Sequence, residues 1–327
     1  MTKPPWGRVL SLGVSAALLV GLYRSLDARL IGQALLQADK VWLPLSIGAI
    51  LPITVLRAGR FFLVAPAGAL PGVGEALRLT LVASALNVVI PAKAGDLIKS
   101  YFIAKRGDTS PGVALAVVVY ERLSDLFGVI AWCVVGFVVG RPEVPGLPSQ
   151  FWLALGILGT VCAILITSRR VAALLPALID SVLPQGKLRR VRAAAHGWPD
   201  LLRQLAGRRR WILPFSLILW LMHLFQMWLF TIALDVPIPF TVCASLSAVA
   251  LMAGLIPLTI AGIGTRDVAL VVLLARYMAP ESAAAMGILI ATRGIVPALL
   301  GMPMMGPYLT SVMGEARRWR VAAEHAD

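Results

Sequence analysis

The stretch ASALNVVIPAKAGDLIK, residues 83–99, decides how this chain is read. It lies in an apolar region, yet it sets Pro91 and Gly95 among Lys93, Asp96 and Lys99. Proline removes a backbone donor and clashes with the preceding turn, and glycine is the weakest helix former that keeps its N–H. The segment therefore reads as a helix that breaks and turns. A second stretch, LMAGLIPLTIAGIGTRD at 251–267, follows the same order: Ile256-Pro257, then small residues including Gly262 and Gly264, then Arg266 and Asp267.

Both stretches are set in a chain made for lipid. Its 327 residues are 59% hydrophobic and 14% charged, with a mean hydropathy of +0.84, which excludes a soluble globular domain. A crossing helix needs about 20 apolar residues, and six runs qualify: 8–25, 42–65, 113–139, 151–168, 211–234 and 283–307. The first is read as a spanning helix rather than a secretory signal, because no A-x-A site follows and Arg24 opens a polar loop. The two interrupted regions, 75–104 and 241–278, are too long for one crossing and too short for two.

Charge decides what those two regions do. Between 169 and 210 there are ten Lys or Arg against Asp180 and Asp200, a segment that belongs on the cytoplasmic side. With both termini inside and the Lys105-Arg106 turn also inside, 75–104 has to begin and end on the cytoplasmic face, as a re-entrant hairpin. The same count makes 241–278 begin and end outside. Within the basic segment, Leu188, Val191, Ala195, Trp198, Leu202 and Leu205 recur at helical spacing, so it is expected to lie as an amphipathic helix on an anionic membrane surface. Aromatics are scarce there, and nucleic acid is not an expected partner.

The two halves of the chain resemble each other. Pro91 and Pro257 are 166 residues apart, and Arg122 in YERLSDLFG and Arg293 in ATRGIVPALLG are 171 apart. The expected fold is an all-α polytopic membrane protein, one transmembrane domain over 1–327. It has about six full spans and two oppositely oriented re-entrant helical hairpins that form an inverted repeat. The units run over about 42–139 and about 211–307, joined by the basic segment 169–210. Inverted repeats with broken helices place a binding site at the repeat interface.

A cation at the bilayer centre costs about 2.5–3.5 kcal/mol on insertion scales, so several of them in apolar segments need compensation. Lys93, Lys99, Arg122, Arg266 and Arg293 are such cations, with Asp96, Glu121, Asp125 and Asp267 as partners. Arg122 and Asp125 share a helix face at three-residue spacing, as do Asp96 and Lys99. If these groups neutralise one another, they only pin the hairpins to the bundle. If positive charge is left over, helix N-termini at the breaks help it to receive an anionic headgroup. The reading combines the two, with the acids positioning the cations.

Candidate binding residues are thus Asn87, Lys93, Asp96, Lys99, Glu121, Arg122, Asp125, Arg266, Asp267 and Arg293, with breaks at Pro91, Gly95, Pro257, Gly262 and Gly264. Arg57 and Arg60 are read as snorkelling to the cytoplasmic edge of their helix or reaching inward. His223, in WLMHLFQMW, reads as a packed interior histidine. Gly262 and Gly264 lack the third glycine and the setting of a dinucleotide fingerprint. Cys133, Cys162 and Cys243 stand singly in apolar segments, which suggests neither disulfides nor a zinc site. No metal and no cofactor is expected.

The motifs NVVIPAKAGDLIKSYFI, VVVYERLSDLFG, IPLTIAGIGTRDVALVVLL and ATRGIVPALLGM resemble the flippase-like transmembrane domain of lysylphosphatidylglycerol synthases, over about 42–308. Asn87, Pro91, Lys93, Gly95, Asp96, Glu121 and Arg122 match the family's order. Lys93, Asp96 and Lys99 stand where the family more often has Arg and Glu, Ala261 where a Gly is common and Asp267 where a Glu is common. The resemblance implies lipid translocation, with the substrate varying across the family; the surplus positive charge makes an amphiphile with an anionic headgroup, phospholipid or polyprenyl phosphate, the expected cargo, and a bacterial inner membrane the expected location. It implies no lysyl transfer, since no aminoacyltransferase domain is present, and the chain is not expected to be an enzyme. A membrane-embedded glycosyl- or lipid-transferase, or a scaffold for envelope-lipid enzymes, are the alternatives; the first would be expected to carry acidic residues on a sizeable exposed loop. The Gly-rich helices are suited to close packing in a homo-oligomer.

Overall fold

Every regular element among the described residues is helical. The structure, a computed structural model, describes residues 13, 17, 19–21, 24, 26–89, 95–106, 109–144, 149–183, 188–255 and 264–312, with backbone only at 89 and 209. In chain order the helices are α1 (Ala28–Leu36), α2 (Trp42–Gly48), α3 (Ile50–Val64), α4 (Val73–Val89), α5 (Leu97–Arg106), α6 (Pro111–Gly140) and α7 (Ser149–Thr167). They continue as α8 (Arg169–Val182), α9 (Arg189–Gln204), α10 (Arg209–Ala233), α11 (Phe240–Ala253), α12 (Thr265–Leu274) and α13 (Pro280–Gly301). A 3-10 turn at Met302–Met304 carries α13 on as far as Val312.

Among the described residues, five segments are long and apolar enough to cross a membrane: Trp42–Val64, Pro111–Gly140, Ser149–Thr167, Arg210–Ala233 and Pro280–Val312. They coincide with five of the six expected crossings; the sixth, 8–25, lies mostly outside the described residues. The chain is an all-α polytopic membrane protein. Helices suit this solvent because they satisfy their backbone hydrogen bonds within the segment. Their ends follow local chemistry. Asp39 accepts from the amides of Val41 and Trp42 at 2.7 and 2.8 Å ahead of α2, and Trp42's and Val41's donation holds its carboxyl below the usual carboxylate range. The Ser110 hydroxyl accepts from the Val113 amide at 3.3 Å, and Pro111 and Pro280 each stand in the first turn of their helix, where the missing N–H is no loss.

Each interrupted region is a pair of short helices, α4 and α5 with 17 and 10 residues, α11 and α12 with 14 and 10. None reaches the roughly 20 residues of a full crossing. The junctions 90–94 and 256–263, and with them Pro91, Lys93, Pro257 and Gly262, lie outside the described residues. On the far side of the first junction, Gly95 presses against the end of α4. A Cβ there would meet the Asn87 amide nitrogen at 2.7 Å and the Ala83 carbonyl oxygen at 2.8 Å, so this return of the chain needs glycine. On the far side of the second, Gly264 holds a φ of 105°, which side chains other than glycine rarely adopt.

The helices pack in matching pairs. α3 packs on α4 as α10 does on α11, and α5 on α6 as α12 does on α13. Each broken pair then leans on the long helix of the other half: α4 on α13, and α11 on α6. The apolar side chains form two cores. One gathers Val113, Val117 and Tyr120 of α6 with parts of α3, α4, α5 and α9. The other gathers Val129, Ile130 and Cys133 of α6 with parts of α10, α11, α12 and α13. Glu121, Arg122 and Asp125 fall between them.

The basic segment forms α8 and α9, helical as its spacing predicts, but most of the apolar face of α9 is already covered. Ala195, Trp198, Leu202 and Leu205 are buried, the helix packs along α6, and the Trp198 indole N–H donates to the Leu165 carbonyl at 3.1 Å. Leu188 and Val191 remain exposed, and so do Leu174, Leu178 and Val182 of α8.

Candidate functional site

The charged side chains between the two cores come from both halves of the chain. α6 supplies Glu121, Arg122 and Asp125, close to the middle of its 30 residues. Asp96 precedes α5, which carries Lys99. The sequence brings these together because Gly95 lets the chain fold back along α4, so that the Asn87 amide donates to Asp96 at 3.3 Å. Arg122 donates to Asp96 across the gap between elements and lies 3.5 Å from Asp125, one turn along its own helix. Lys99 Nζ lies 4.0 Å from Asp96 and 3.2 Å from Glu121, and 4.7 Å above the Phe61 ring. Lys99 and Glu121 are 1% and 3% exposed, a pair sealed from any solute.

Arg60 takes the inward of the two courses open to it. It does not snorkel to a helix end: it is 2% exposed, and its guanidinium lies 2.7 Å from Asp125. Its Nε has no acceptor among the described residues. Arg57, one turn earlier, is half-buried and lies in electrostatic range of Arg122, Asp125, Asp96 and Glu121. Among the described residues no carboxylate comes within ion-pair distance of it. Alpha-helical spacing placed Arg57 and Arg60 on one face; nothing local told which way that face turns.

A second group surrounds the start of α12. Asp267 accepts from the Gly264 amide at 2.9 Å, which closes the helix N-terminus, and from its neighbour Arg266 at 2.6 and 3.0 Å. Arg266 also donates to the Gly287 carbonyl of α13 at 3.1 Å. Asp267 is thus a capping residue as well as a counter-ion, and an acid in the first turn suits the helix dipole.

Arg293 stands apart from both acidic groups. On α13, it donates to Nδ1 of His223 on α10 at 2.5 Å, so that nitrogen carries no proton. Its Nε is buried without an acceptor among the described residues. Trp220 links this pair to the first group: its indole N–H donates to Asp125 at 3.2 Å, and its ring lies 5.4 Å from that of His223. Nothing in the motifs named Trp220, although Trp220 and His223, three apart in an apolar helix, share a face that carries two polar tips.

The structure therefore unites Asn87, Asp96, Lys99, Glu121, Arg122 and Asp125 in one network, places Arg266 with Asp267 in another, and sets Arg293 on His223. Arg57, Arg60, Trp220 and His223 join them. Lys93 lies outside the described residues.

Fold and site define an integral membrane protein of many helices whose ionised groups gather between two apolar cores. The model of the lysylphosphatidylglycerol synthase transmembrane region matches residues 8–301, and the chain belongs to that family. No curated protein matches it. Membership suggests a role connected with membrane lipid.

Proposed function

We propose that this protein is a lipid translocase, which moves an amphiphile with an anionic headgroup, such as a phospholipid or polyprenyl phosphate, between leaflets. The observation that carries this reading is the charge balance between the two apolar cores. Six cations (Arg57, Arg60, Lys99, Arg122, Arg266, Arg293) face four carboxylates (Asp96, Glu121, Asp125, Asp267) among the described residues. A polar network of this kind is costly in a bilayer, and lining a passage for a charged group is a reason to keep it.

The matched packing supports two units, α2 to α6 and α10 to α13, read as an inverted repeat with re-entrant hairpins α4–α5 and α11–α12. Alternating exposure of the network to the two faces would pass the headgroup while the tails stay in lipid. The charge rule puts both termini and α8–α9 on the cytoplasmic face of a bacterial inner membrane, where exposed Leu174, Leu178 and Val182 suit contact with an anionic surface. In this reading the chain is a transporter and not an enzyme.

Reconstitution tests it. Liposomes holding the purified full chain should speed the leaflet exchange of fluorescent phosphatidylglycerol at least tenfold over empty liposomes, with phosphatidylcholine slower. Equal rates with and without protein, for phospholipid and polyprenyl phosphate alike, would overturn translocation.

A further inference from the structure

Of the six cations between the cores among the described residues, four are engaged. Arg60 and Arg122 serve Asp125, Arg122 also serves Asp96, Lys99 serves Glu121, and Arg266 serves Asp267. The carboxylates are correspondingly occupied: Asp125 alone receives two guanidiniums and the Trp220 indole. Two cations are left, Arg57 on α3 and Arg293 on α13. Neither has a carboxylate within ion-pair distance among the described residues, and Arg293 lies in electrostatic range of Arg266 first and of Arg57 next. They come from the two halves of the chain, on helices that pack on each other.

From this we infer that Arg57 and Arg293 together grip the phosphate of the transported headgroup, and that the paired charges around them are a frame that holds these two in place. The inference rests on the translocation reading for the source of the phosphate, not for the grip itself.

Three observations point to an anion with several oxygens. Like charges brought together at bilayer depth repel and are poorly solvated, so an anion between them relieves both costs. A guanidinium offers five donors in a planar fork that matches phosphate oxygens in pairs, whereas a carboxylate already claimed by other cations has nothing left to give it. And donors are available: among the described residues Arg293 Nε is buried without an acceptor, as is Arg60 Nε one turn from Arg57. His223 fits the same picture. As a neutral acceptor at 2.5 Å it supports Arg293 without cancelling its charge. Both arginines are half-buried rather than sealed, unlike Lys99.

The test is equilibrium binding to the detergent-solubilised full chain, followed by native mass spectrometry. Dioctanoyl phosphatidylglycerol, inorganic phosphate, glycerol phosphate and dioctanoylglycerol are titrated in separate arms. Phosphatidylglycerol binding should weaken at least tenfold in Arg57→Gln and in Arg293→Gln and less in Arg57→Lys and Arg293→Lys, with no change in Arg29→Gln, an exposed arginine elsewhere. Melting temperatures near that of the parent chain establish that the variants fold; the Lys variants, which keep the charge, carry the test if a Gln variant does not. Affinity unchanged in both Gln variants, or dioctanoylglycerol bound as tightly as the phospholipid, would overturn the inference. Inorganic or glycerol phosphate bound as tightly as the phospholipid, and lost in the same variants, would support the grip and overturn the lipid as its source. Translocation that persists in both Gln variants would overturn the grip while the translocation reading stands.

Discussion

The guanidinium of Arg60 on α3 stands 2.7 Å from the carboxylate of Asp125 on α6, and this ion pair ties α3 to the charged middle of the 30-residue α6. Removing one partner of a buried pair leaves the other charge without compensation, at a cost of about 3–5 kcal/mol, while replacing both by apolar residues of like volume is often neutral. Asp125→Asn is therefore expected to lower the melting temperature in detergent by several degrees, and Arg60→Met with Asp125→Leu to recover most of it. A double variant as unstable as the single one would show that the pair contributes more than mutual neutralisation.

Lys99 and Glu121 form an ion pair with both partners buried, and in the frame reading they hold α5 to α6 without touching the headgroup. Lys99→Met combined with Glu121→Leu should keep translocation within about twofold of the parent chain, whereas Glu121→Leu alone should be destabilised by about 3–5 kcal/mol. Loss of translocation in a double variant that melts normally would place this pair in the transport path.

Gly128 faces Trp220 so closely that a Cβ would lie 2.5 Å from the ring's Cδ1. In Gly128→Ala the indole has to move away from Asp125 and His223 at once, with an overpacking cost of about 1–3 kcal/mol. A lower melting temperature and slower translocation are expected, and Gly128→Ala combined with Trp220→Phe should regain stability. Unchanged behaviour of Gly128→Ala would mean that Trp220 does not position the site.

The hairpin topology is open to labelling. In a chain whose buried Cys133, Cys162 and Cys243 are replaced by Ala, Gly74→Cys and Lys105→Cys flank α4–α5, and Pro237→Cys and Ala275→Cys flank α11–α12. An impermeant maleimide should reach the first two from the cytoplasmic side and the last two from the opposite side. Members of one pair labelled from different sides would turn that hairpin into a full crossing.

The crossings were legible in sequence because apolar run length and helix-breaking residues act locally. Pro111, Ser110 and Gly264 mark ends through their own backbone chemistry, and Pro91 and Pro257 announced the two broken regions. Of the site, the residue types and most positions were legible too, since a charge in an apolar run is conspicuous wherever its partner is. What the run could not tell was the direction of a helix face. Arg60 lay as near to a helix end as to its middle along the chain, and its inward course depends on how α3 is rotated against α6. Trp198 and Leu202 suited a membrane surface as well as a protein groove, and the choice was made by α6, whose flank takes them.

By itself, then, the sequence determined the solvent, five of the spans, the two interrupted regions and the stock of charge in apolar segments, all properties carried by neighbours along one chain. The tertiary structure alone decided which cation meets which carboxylate, because Asp125 is reached from Arg60, Arg122 and Trp220 on three different helices. Only that pairing leaves Arg57 and Arg293 over, since Coulomb energy depends on distance in space and helix packing sets those distances.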